Sequence, residues 1–140
     1  MRKVLGVIAL LFSSLFLFVS CQASLNASNI KSNLKGAGYT ADEYTPAQYE
    51  QQQQGALEAT KIEGLEVVVT AYKDDSNIII LVFNSIDNAS KAVENTDVLS
   101  VMTRFGSKNA DEGQTSSFGS HNNVVWAGSA KARNAAGINI

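Results

Sequence analysis

Few residues in this chain could do chemistry. Cys21 is the only cysteine and His121 the only histidine among 140 residues. A thiol can attack an electrophile, bind a metal or carry a covalent group. A histidine beside a serine can take the hydroxyl proton for acyl transfer. Ser117 and Ser120 stand close to His121 in sequence. A triad also needs an orienting carboxylate and an oxyanion hole, and no nucleophile-elbow motif is present. A lone histidine and a lone cysteine fall short of the ligand sets that hold zinc. Asp74, Asp75 and Asn77 offer oxygens, but not the ordered series, glycine and final glutamate of a calcium loop. Asp111-Glu112-Gly113 reads likewise as a loop. The expectation is therefore no catalytic residue, no metal and no cofactor. His121 reads as a turn residue.

Cys21 is different because of where it sits. Arg2 and Lys3 form a short basic start, and Val4 to Val19 then runs without a charge. That run is at the lower limit for spanning a bilayer, and it has the layout of a secretory leader. Phe18-Val19-Ser20-Cys21 resembles the lipobox of bacterial lipoproteins, with Phe18 where the consensus prefers leucine. The resemblance implies three things. A diacylglycerol is carried on the Cys21 sulfur. A dedicated peptidase cuts between Ser20 and Cys21. The mature chain stays tethered on the extracytoplasmic face of the cell membrane. Two or three acyl chains give the stable anchoring that one chain does not. Cleavage after Ala23 and an uncleaved membrane helix are the competing readings of this segment.

Loss of Arg2 and Lys3 with the leader leaves nine basic against thirteen acidic side chains, so the net charge moves from −2 to −4. Such a domain has no electrostatic footprint for nucleic acid and no polybasic patch for anionic lipid. The expected organisation is a signal peptide over 1–20, a tether over 21–27 and a single domain over 28–140.

Patterning suggests how that domain is built. Ser28 is placed to cap a helix with Ile30, Leu34 and Ala37 on one face, ended at Gly36 and Gly38. Thr45-Pro46-Ala47-Gln48 is a helix start with a capping threonine, a proline at the first position and a glutamine three residues on. The glutamines from Gln51 to Gln54 then form a solvated face. Leu65 to Lys73 alternates as a strand, with Leu65, Val67, Val69 and Ala71 on one side. Ile78 to Phe83 is an uninterrupted apolar run, expected at the centre of a sheet with both faces covered. The two runs should pair as a hairpin around Asp74 to Asn77. Ser85 caps a helix with Ile86, Ala89 and Val93 inward. A second stripe follows at Val98, Val101, Met102 and Phe105. Gly106 to Gln114 reads as a loop. Ser116 to His121 and Val124 to Trp126 read as a hairpin turned at Asn122-Asn123, and Ser129 to Ala136 as a short final helix.

Hairpins with intervening helices indicate an α+β fold. The expectation is a mostly antiparallel sheet with helices on one face, preceded by a signal-peptide helix. Tyr39, Tyr72, Phe118 and Trp126 read as core before they read as a ligand platform. The lipobox, a helix ending in Gly-Tyr and a Val/Ile-rich hairpin followed by a helix resemble small lipoproteins of low-GC Gram-positive bacteria and their wall-less relatives. That resemblance carries no assigned activity. The functional expectation is a membrane-anchored, non-catalytic binding or interaction module. Its partner would be an envelope protein or a small molecule, engaged by an open sheet face or the loop from Gly106 to Gln114. An envelope-acting hydrolase or an enzyme inhibitor is the alternative.

Overall fold

Ile78 to Phe83 has no polar side to show to water, and the fold places it at the centre. The structure, a computed structural model, describes residues 25–53, 57–108 and 116–138. In chain order these form α1 (Ala27–Gly36), β1 (Thr40–Tyr44), α2 (Pro46–Gln53), a 3-10 turn (Ala59–Lys61), β2 (Leu65–Lys73) and β3 (Ser76–Phe83). Then come α3 (Ile86–Ala92), α4 (Thr96–Lys108), β4 (Ser116–His121), β5 (Val124–Ser129) and α5 (Ala130–Ala135). The sheet has five strands in the order β1-β2-β3-β5-β4, and every neighbouring pair is antiparallel. This is the α+β fold with an antiparallel sheet that the patterning indicates.

The helices are divided between the two faces of the sheet, not gathered on one. Register explains this. Val69, Ile80 and Trp126 stand side by side across β2, β3 and β5, as do Val68, Leu81 and Val125. Adjacent residues on a strand point to opposite faces, and all six are buried. The first row packs with Ile30 and Leu34 of α1 and Ala132 of α5. The second packs with Tyr49 of α2, Ala89 of α3, and Val98 and Met102 of α4. Two cores therefore share one sheet. Each aliphatic side chain of β3 buried this way contributes about 1.5–3 kcal/mol.

Several local expectations are corrected. Asn26, not Ser28, caps α1; its side chain accepts from the Ser28 and Asn29 N–H groups. Leu25 to Ala27, expected as tether, are built into the fold. Leu65 joins the α2–α4 core and not the row of Val67 and Val69, because the register shifts between Leu65 and Val67. Ile86 is exposed and Ala92 is buried in its place. The Thr45 cap forms as expected, with Gln48 N–H donating to Thr45 Oγ1 at 3.2 Å and Thr45 N–H to Gln48 Oε1 at 3.0 Å. Ser85 and Ser129 cap α3 and α5. Ser129 also ends a buried hydroxyl chain. Tyr39 OH lies 2.9 Å from Ser76 Oγ, which is bonded in turn to Ser129 Oγ.

One glycine is fixed by packing. Gly128 in β5 has φ of +149°. A β-carbon there would lie 2.2 Å from the Asn77 carbonyl oxygen and 2.7 Å from Ile78 Cα. The central strands approach this closely because residue 128 has no side chain.

Candidate functional site

The α2–α4 face is not fully roofed. Helix α2 packs on β1 and β2, α4 on β5 and β4, and α3 on β3 and β5. Among the described residues, none covers the end of the sheet nearest the β2–β3 turn, between α2 and α4. There a cleft of about 370 Å³ forms. Thr70 and Tyr72 of β2 and Asn77 and Ile79 of β3 make its floor. Tyr49 closes one wall; Val101 and Phe105 close the other. Arg104 and Lys108 stand at the rim of α4.

The lining follows from local structure. The alternation of β2 carries Val68, Thr70 and Tyr72 along one face. Val68 lies under the helices, Thr70 is half-buried, and Tyr72 is 56% exposed. In α4, Val98 and Met102 face the sheet while Val101 and Phe105, one turn apart, look sideways into the gap. Tyr49 is buried, with its ring 6.2 Å from that of Tyr44 at 58°. Burial first, and Tyr44 second, push the Tyr49 hydroxyl above its ordinary value, so it remains a neutral donor. Arg104 and Lys108 are exposed, and neither takes part in an ion pair among the described residues. The surface can therefore stack flat apolar groups, offer hydroxyl hydrogen bonds at its floor, and present positive charge at its mouth.

The opposite end of the same strands fixes the start of the domain. Asn123 follows the positive-φ residue Asn122 in the β4–β5 turn and is buried. Its side-chain oxygen accepts from the Leu25 N–H, and its amide donates to the Leu25 carbonyl at 2.9 Å and the Phe83 carbonyl at 3.1 Å. The side chain pairs with Leu25 as a neighbouring strand would. Leu25 thus lies at the Phe83 end of β3, and the cleft at the Asn77 end. Six residues separate these ends, roughly 20 Å at about 3.3 Å per residue.

Other candidate residues are dispersed. Ser20 and Cys21 lie outside the described residues, as does the loop beyond Lys108; Gly106 to Lys108 belong to α4. Ser120 and His121 are adjacent on β4 and so point to opposite faces. Asp74, at φ of 55°, turns the β2–β3 hairpin. Among the described residues no three His, Cys, Asp or Glu side chains gather where they could hold a metal, and no helix is long and apolar enough to cross a membrane. Tyr39 and Trp126 are core. Phe118 is half-buried against the α2–α4 core. Of the four aromatic residues singled out from the sequence, only Tyr72 reaches the cleft. Tyr49, Arg104 and Lys108 carry no sequence signal of their own; their role depends on where α2 and α4 sit. Comparison with known proteins finds no family model, no curated relative and no solved structure that matches the chain.

Proposed function

We propose that the protein is an extracytoplasmic lipoprotein, anchored through lipid on Cys21, whose domain binds a ligand without catalysis in the α2–α4 cleft. The observation that carries this reading is the cleft itself. Its lining of Tyr49, Tyr72, Phe105 and Ile79 suits the holding of a molecule, and its volume falls in the range of small-molecule sites. The anchor end adds support. Three residues separate Cys21 from Leu25, a reach over four steps of at most about 14 Å. With Leu25 held by Asn123, the lipid would sit at the Phe83 end of the sheet, and the cleft would open away from the bilayer toward the aqueous side.

Labelling with radioactive palmitate tests the anchor. The wild-type chain is expected to take up label and Cys21→Ala to take up none. Persistent labelling of Cys21→Ala would remove the lipoprotein reading. The binding role is tested by filling the cleft with Thr70→Trp, which should abolish binding of an aromatic probe.

A further inference from the structure

We infer that the cleft selects a small organic anion with a flat apolar body, taken from the aqueous side of the envelope. The inference rests on the reading of the cleft as a ligand site. Arg104 and Lys108 are spaced i, i+4 on α4, so both project on one side of the helix and both border the cleft. Among the described residues no acidic side chain lines it. The chain beyond Ser20 carries a net charge of −4, so this rim reverses the sign that the rest of the domain presents. An approaching anion is drawn to this mouth and repelled elsewhere. Within it, Tyr72 and Phe105 supply ring faces, and Thr70 and Asn77 line the floor beneath.

Size and placement exclude two other occupants. A cleft of about 370 Å³ accepts a fused-ring molecule but not a folded segment of another protein. A membrane lipid would have to reach the end of the sheet remote from Leu25, roughly 20 Å along the strands.

The test is equilibrium dialysis of the lipidated protein in phosphatidylcholine vesicles, read against blank vesicles. Two probes share one body and differ in charge: 2-naphthalenesulfonate and its neutral sulfonamide. The sulfonate is expected to bind about tenfold more tightly than the sulfonamide, the preference that two partly solvated cations support. Arg104→Gln with Lys108→Gln should remove the preference, bringing the ratio of the two affinities to about one. Both positions are exposed, so neither substitution opens a cavity in the core. Thr70→Trp should abolish binding of both. Equal affinity of the wild-type protein for the two probes, or a preference that survives the double substitution, overturns the anion inference while leaving the cleft as a binding site. Binding of neither probe overturns the cleft as a site, and the inference with it.

Discussion

Asn123→Ala removes three hydrogen bonds at once and leaves no clash behind. The wild-type amide serves the N–H and carbonyl of Leu25 and the carbonyl of Phe83. Leu25 is half-buried, so water can reach its backbone groups, and each bond lost there is worth about 0.5–1.5 kcal/mol. The bond to Phe83 is buried, and losing a partner there costs about 1–3 kcal/mol. Together these come to about 4 kcal/mol, a large share of the roughly 5–15 kcal/mol that holds a domain folded. At about 4 °C per kcal/mol for a chain of this size, the melting point should fall by about 15 °C. Urea unfolding of the chain from residue 21 onward measures this directly. Trp126, the only tryptophan and 1% exposed, reports the transition by its fluorescence. Hydrogen exchange should show the amides of Leu25 and the first turn of α1 losing protection out of proportion to those of β3. Asn123→Asp keeps the acceptor but turns a carboxylate toward two carbonyls, so it should be no better than alanine. A loss below about 1 kcal/mol for Asn123→Ala would refute the idea that this residue fixes the start of the domain.

Two further perturbations test the packing and the electrostatics. Gly128→Ala would force a β-carbon to within 2.2 Å of backbone in the neighbouring strand; a loss above about 3 kcal/mol, or no soluble protein, is expected in a thermal melt. Thr60 donates to Glu50 through both its hydroxyl and its N–H, and these bonds hold the Glu50 carboxyl below its ordinary value. Because the folded value is lowered, the stabilisation is complete above the ordinary carboxylate range and is lost as pH falls through the lowered value. NMR titration should show Thr60→Val moving Glu50 back up, and an unmoved Glu50 would count against the assignment.

The parts of this fold legible in the sequence are those set by local chemistry. The Thr45–Gln48 cap, the unbroken run Ile78 to Phe83 and the turn at Asn122-Asn123 each name their own conformation. They do so because a cap, a doubly buried strand and a left-handed turn depend on residues a few positions apart. What was not legible depends on long-range placement. Val67 and Val68 are both apolar, so the sequence could not show that β2 has a core on each face; Leu65 changed sides through a register shift that no pattern announces. Helical spacing points Ile86 inward with Ala89, yet α3 turns Ala92 onto the sheet beside Ala89 and leaves Ile86 exposed. The cleft was hidden for the same reason. Tyr49, Tyr72 and Arg104 become neighbours only once α2 and α4 stand apart over the β2–β3 hairpin.

The Asn123 clamp also sets how a pull would pass through the molecule. If the chain is tied to a membrane before Leu25 and gripped at the cleft, tension enters at Phe83 and leaves near Asn77, along the strand axis. Inter-strand hydrogen bonds lie across that axis, so β3 would be sheared against β2 and β5 with its bonds resisting together, not peeled one at a time. The bonds between Leu25 and Asn123 lie upstream, helped only by the half-buried Leu25 side chain against the core. They would yield first, releasing a few residues of slack before the sheet feels the strain. The domain is built like a hook whose shank stretches before its bend opens.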